Sequence, residues 1–353
     1  MSTPEKQEKA ESSDDAPAAS GGDRDRTSAT VEGAGRRLRT RLSFREKEPF
    51  PMTGTTASRT RISRRRRGTL IGVSAGAVVI VAVIAAVVVS THHARTIVHD
   101  DLDWPTSAHA AVAVNDEVSI GSPDDTFRAP MASLTKLITA MVVLDESPLG
   151  DDDAGWTTPL DEDDAARTAE LAAEGAATAP APAGATVSER QALEMMLIAS
   201  AGNYAEILVT RTFGSTPAFL AAARAWLDAH GLTDTVVADP AGLSESSIST
   251  LTDLVRIGRL ADADTVISQI AAMPRSLAPD GSLVTATNTL LGKYSIDGLR
   301  TGNLGAGMHS IIATATVGAD RVLVVIWNAP TVKQRDADAL RLLASIRTQL
   351  AGG

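Results

Sequence analysis

The order of apolar patterns predicts an α+β domain: strands, then a helical block, then strands again and a closing helix. Three observations carry that reading. Paired apolar runs stand at both ends of the second part of the chain, at "AAVAVNDEVSIGS" and at "MHSIIATATV" with "RVLVVIWNA". Between them, residues 161–176 and 187–230 read as largely helical. A 24-residue uncharged stretch, "GTLIGVSAGAVVIVAVIAAVVVST", precedes everything that reads as folded.

The chain begins with a polar, charged segment. Residues 1–67 carry 16 Lys and Arg against 10 Asp and Glu, with little hydrophobic periodicity, and read as a disordered tail. Residues 68–91 follow, with Arg61 and Arg64 to Arg67 abutting them. As a helix this stretch would reach roughly 36 Å, enough to cross a bilayer. A cleavable leader has a shorter apolar region and a shorter preceding segment, so an uncleaved anchor is the preferred reading. The flanking arginines place the N-terminus in the cytoplasm and the rest outside. Residues 92–103 are then a linker, and 104–353 the soluble domain.

That domain opens with two strands joined at Asn115-Asp116 as a hairpin. A helix starts near Ser133, and the acidic "DESPLGDDDAGW" reads as a solvated loop. "TAPAPAGAT" interrupts the helical block. Ser249-Thr250 followed by Asp253 caps a further helix. "SIDGLRTG" leads into the second strand group, expected to be antiparallel, and "DADALRLLASIRTQL" closes the chain as a helix.

Composition excludes several classes. There is no cysteine, hence no disulfide framework and no thiolate metal site, and the histidines show no metal-ligand spacing. Beyond residue 67 the acidic residues outnumber the basic ones, 33 to 17, which disfavours nucleic acid as a partner.

One lysine stands out. Lys136 is one of only six, and the only one with a serine three positions before it, in "APMASLTKLITAM". Three residues apart on a helix, Ser133 and Lys136 face the same way. The positive end of the helix dipole and partial burial both favour a neutral amine there. A neutral amine takes the proton of a serine nucleophile. A Ser-x-x-Lys match alone recurs by chance, and a lysine whose tip snorkels to solvent is the competing reading.

The segment "MASLTKLITA" closely resembles the first motif of the serine-type D-alanyl-D-alanine carboxypeptidases, the low-molecular-mass penicillin-binding proteins. "ALEMMLIASAGNYAEIL" and "YSIDGLRTGNLGAG" resemble the second and third motifs, in the right order, and "DPAGLSESSISTLTDL" resembles the stretch between them. The resemblance covers roughly residues 104–350. It implies the β-lactamase and penicillin-binding-protein fold: an antiparallel sheet with flanking helices and an inserted all-helical region.

The resemblance also implies roles. Ser133 attacks the carbonyl between two terminal D-alanines and Lys136 is its base. Ser200 relays a proton to the leaving D-alanine. Backbone N–H groups of Ser133 and Asn303 form the oxyanion hole, and Arg300 and Thr301 bind the substrate carboxylate. Gly302 leaves room for substrate along the strand. No cofactor is implied. The implied partners are peptidoglycan stem peptides, with β-lactams as covalent inhibitors, at the outer face of a bacterial cytoplasmic membrane.

Two positions depart from the family pattern. Its Ser-x-Asn falls on Ser200-Ala201-Gly202, and Asn203 supplies the missing amide only if the loop shifts; loss of the amide is the preferred reading. Arg300 replaces lysine and keeps the charge. Three functions follow: an active carboxypeptidase; an impaired member that binds wall peptides or partners; and a β-lactamase, for which no Glu-x-x-x-Asn pattern is found between the second and third motifs.

Overall fold

The computed structural model describes residues 97–115, 117–121, 127–305 and 307–352. The predicted tail and the predicted span at 68–91 lie outside them. Among the described residues, no helix is long and apolar enough to cross a membrane.

A five-stranded antiparallel sheet organises the domain. Strands β1 (His109–Val114) and β2 (Glu117–Ile120) form the expected hairpin, with Val114 paired to Glu117. Short β3 (Ala129–Pro130) pairs with β6 (Ile248–Ser249), β4 (Thr157–Pro159) with β5 (Thr186–Ser188), and β7 (Arg275–Leu277) with β8 (Leu283–Thr285). The sheet is completed by β9 (Ile296–Asn303), β10 (His309–Val317) and β11 (Asp320–Ala329), in the order β2-β1-β11-β10-β9. Both faces are covered, which explains the unbroken apolar runs. Side chains alternate across a strand. Ala110, Val112, Val324 and Ile326 therefore pack on one side, and Ala111, Ala113, Leu323 and Val325 on the other.

The helices are α1 (Thr135–Glu146), α2 (Glu162–Ala173), α3 (Glu189–Ile198), α4 (Gly202–Phe213), α5 (Thr216–Ala229), α6 (Leu251–Ala263), α7 (Thr265–Ala271) and α8 (Val332–Gly352). Helix α8 covers the first face through Leu342, Leu343 and Ile346. It starts four residues before the apolar pattern that predicted it. The helical block covers the other face. Thr250 caps α6 as expected, its Oγ1 accepting from Asp253 N at 3.2 Å. The Asp253 carboxylate does not reach back to close a full box; it accepts from Thr235 Oγ1 at 2.8 Å.

Two expectations change. Residues 97–103, read as linker, belong to the domain: Ile97 and Leu102 are buried against the sheet. Val98 N donates to Gln349 Oε1 of α8 at 2.7 Å. The three short two-stranded pairings escaped the sequence reading because strands of two or three residues carry no readable period.

Candidate active site

Helix α1 is buried all round, from Thr135 to Leu144. A helix with no solvent face gives a lysine in its first turn nowhere to snorkel. Lys136 is accordingly 1% exposed. Ser133 sits one step earlier, in the short 3-10 turn Ala132–Leu134 that leads into α1. Ala132 adopts a left-handed φ of 51°, an uncommon backbone for a residue with a Cβ. Trp327 of β11 props the approach to this turn, its Nε1 donating to Pro130 O at 3.1 Å.

Lys136 Nζ lies 3.0 Å from Ser133 Oγ and donates to Ala241 O at 2.6 Å. Burial holds its pKa well below the usual lysine value; the nearby Arg300 charge lowers it further, and Asp239 acts in the opposite sense. A buried lysine whose amine is shifted towards its neutral form, beside a serine hydroxyl, is the arrangement that suits a serine nucleophile.

The loop that supplies Ala241 O is built around Asp239. Its carboxylate accepts from Ala241 N at 2.8 Å, Leu243 N at 3.0 Å and Ser244 N at 2.8 Å. Gly242 follows with φ 68°, so close to the nucleophile turn that a Cβ would fall 1.9 Å from Ala132 O. Thr139 Oγ1 of α1 donates to Pro240 O at 2.7 Å. The sequence marked this segment as part of the resemblance but gave it no role. It fastens the lysine.

Ser200 enters from the α3–α4 connection with φ 64°. Its Oγ lies 3.1 Å from Ser133 Oγ. Arg300 of β9 donates to it from Nη2 at 2.6 Å and donates from Nε to Ser133 O at 3.1 Å. A third guanidinium bond runs from Nη1 to Leu197 O. Burial draws the Arg300 pKa down to about 9, which leaves the group cationic at neutral pH. Arg300 is 1% exposed and fully engaged with protein. The expectation placed it against a substrate carboxylate; in the structure it turns to Ser200 Oγ, Ser133 O and Leu197 O and is not among the residues that line the cleft.

Ser133, Lys136, Ser200, Thr301 and Asn303 line one cleft of about 470 Å³. Thr287 and the segment Glu174–Ala177 line it as well. Thr301 shares a 2.8 Å hydroxyl contact with Thr287. Asn303 Oδ1 is held by His309 Nδ1 at 3.0 Å and faces Arg335 Nη1 of α8 at 3.4 Å. Arg335, Glu174 and Thr287 were not found in the sequence, since each comes from a segment outside the three motifs.

Two further expectations are corrected. Gly302, expected to leave room for substrate, faces the nucleophile turn. A Cβ there would stand 2.9 Å from Met131 O and 3.1 Å from Leu134 Cγ, so the glycine lets β9 close against the nucleophile turn. Asn203 does not reach the cleft. It lies inside α4, its Nδ2 donating to Ala179 O and Thr168 Oγ1 at 2.9 Å each, while its Oδ1 accepts from Ala179 N at 3.2 Å. The third position of the second motif is Gly202, whose N donates to Ala177 O at 2.8 Å.

A family profile described as D-alanyl-D-alanine carboxypeptidase matches residues 100–331. Over 226 residues the chain is 29% identical to a D-alanyl-D-alanine endopeptidase of Pseudomonas aeruginosa, covering 62% of this chain and 70% of that protein. It is 27% identical over 231 residues to a D-alanyl-D-alanine carboxypeptidase of Mycobacterium tuberculosis, covering 64% and 75%. The crystal structure of a Streptomyces DD-transpeptidase superposes with a TM-score of 0.61 at 22% identity, covering 71% of this chain and all of that one.

Proposed function

Because this chain belongs to the D-alanyl-D-alanine carboxypeptidase family of serine peptidases, we propose that it removes the terminal D-alanine of peptidoglycan stem peptides through an acyl-enzyme on Ser133. Residues 68–91 anchor it in the cytoplasmic membrane, with the domain outside, where that substrate lies. The observation that carries this reading is the buried Lys136 amine 3.0 Å from Ser133 Oγ.

The steps follow from the groups in place. The Ser133 proton passes to the neutral Lys136 amine as Oγ attacks the peptide carbonyl. The oxyanion is met by the backbone N–H groups of Ser133 and Asn303. Because Arg300 donates to Ser200 Oγ, the Ser200 hydroxyl hydrogen is directed towards Ser133 and the leaving nitrogen. Ser200 gives that proton to the departing D-alanine and is reprotonated from Lys136. Water then cleaves the ester. With Arg300 buried, the substrate carboxylate falls to Thr301 and Asn303.

A second reading rests on Gly202. The family's amide is absent from this position and Asn203 is turned away. On that reading the site acylates but turns over slowly, and the protein acts by binding wall peptides. Mass spectrometry of the full chain treated with benzylpenicillin tests the nucleophile: a stable adduct on the Ser133 peptide is expected, and an adduct elsewhere or none contradicts it. Fractionation of the host membranes tests the anchor: loss of residues 68–91 should release the protein.

A further inference from the structure

Charge is unevenly spread over the residues that line the cleft. The β9 residues present hydroxyls and an amide, and the basic side chains behind the nucleophile, Lys136 and Arg300, are buried. The lining also includes Glu174, the one acidic residue among the described residues that line the cleft. Its side chain is 62% exposed, and its nearest cation, Arg167, stands 4.0 Å away. Arg167 is committed elsewhere: it grips Glu206 from Nε at 2.8 Å and Nη2 at 2.9 Å, and Glu170 from Nη1 at 3.1 Å. One guanidinium thus serves three carboxylates, and Glu174 is the farthest of them.

Its position adds to the effect. Glu174 caps the C-terminus of α2, whose last turn holds no basic residue, so the negative end of the helix dipole points the same way. The segment Glu174–Ala177 is also fixed rather than loose. Gly175 N and Ala176 N bond back to Ala172 O and Leu171 O, and Gly202 N ties Ala177 O to the second motif. Glu174 thus lines the same cleft as Ser133, Thr301 and Asn303, where a bound peptide would lie.

We propose that Glu174 is the cleft's ammonium-binding residue, selecting peptides that carry a primary amine. The inference rests on the carboxypeptidase reading of the cleft. The amine has two possible sources: the side chain of the residue preceding D-Ala-D-Ala in the bound peptide, or a second peptide whose amine attacks the acyl-enzyme. In the second case the amine nitrogen bonds to the acyl carbon, the bond to Ser133 Oγ breaks, and an amine proton returns to Oγ.

Binding is measured first, on full chains carrying Ser133→Ala, so that turnover is not needed. The probes are Nα-acetyl-Lys-D-Ala-D-Ala with its side-chain amine free and the same peptide with that amine acetylated. The free amine should bind about two- to fivefold more tightly, a preference that weakens with salt and disappears in Ser133→Ala/Glu174→Gln. In the second arm the catalytically intact chain is given glycylglycine, and Glu174→Gln should lower the ratio of transfer to hydrolysis if the acceptor supplies the amine. A preference in either arm supports the proposal and identifies the source. Ratios in both arms that Glu174→Gln leaves unmoved overturn it. Failure of the intact chain to release D-alanine at all counts against the carboxypeptidase reading and leaves the binding comparison to decide this one.

Discussion

Arg300 Nη2 donates to Ser200 Oγ at 2.6 Å, entirely inside the protein. The cation at the third motif thus speaks to the second motif and, through it, to the nucleophile 3.1 Å further on. This relation sets the first expectation. Arg300→Lys keeps the charge and one of the bonds, and penicillin acylation should stay within about tenfold of the parent. Arg300→Met leaves Ser133 O, Leu197 O and Ser200 Oγ short of a donor, and acylation should fall about a hundredfold or more. Stopped-flow acylation rates for the two variants check the contrast.

The base gives a pH profile with a definite sign. Only the neutral amine of Lys136 accepts the Ser133 proton, and burial lowers its pKa from the ordinary 10.5. Acylation should therefore rise with pH through that lowered value and level off well below 10.5. Lys136→Arg places a permanently charged group there and should cost about a thousandfold. A rate still climbing at the ordinary lysine pKa would show that burial does not set the base.

Gly202 yields to a direct restoration. A Cβ at this position would stand 3.6 Å from both Ala177 O and Ala241 Cβ, which is ordinary contact. Gly202→Asn should fold, and its amide should raise the rate of D-alanine release about two- to tenfold, the worth of one hydrogen bond. Asn203→Ala should act on stability instead, lowering it by about 1–3 kcal/mol through the buried bonds to Ala179 and Thr168. Steady-state kinetics and thermal melts separate the two.

Gly302 tests how closely β9 must approach. An added Cβ meets Met131 O at 2.9 Å and Leu134 N at 3.3 Å, both backbone atoms of the nucleophile segment. Gly302→Ala should cost about 1–3 kcal/mol of stability and slow acylation, because the strand must shift away from Ser133. Unchanged melting and acylation would return Gly302 to the role of leaving space for substrate.

The sequence made some of this readable and hid the rest for physical reasons. Ser133 and Lys136 were visible because three-residue spacing is itself a geometric statement on a helix. The long strands were visible because their residues bury on both faces. Gly302 announced a close approach without saying by what. Arg300 looked like a substrate ligand because charge is written in the sequence and burial is not. Asn203 depended on where α4 begins, a matter of one residue that only the fold settles. Asp239 and Glu174 act from loops, where no period links them to the motifs they serve.

The central claim is that Ser133 and Lys136 form a working acylation pair that releases D-alanine. The most direct test is D-alanine release from a diacyl-D-Ala-D-Ala peptide by the full chain, compared with Ser133→Ala. Release by the parent and loss of nearly all of it in the variant is the expected result. Equal release by both would contradict the claim. So would the absence of release from a parent chain that remains folded.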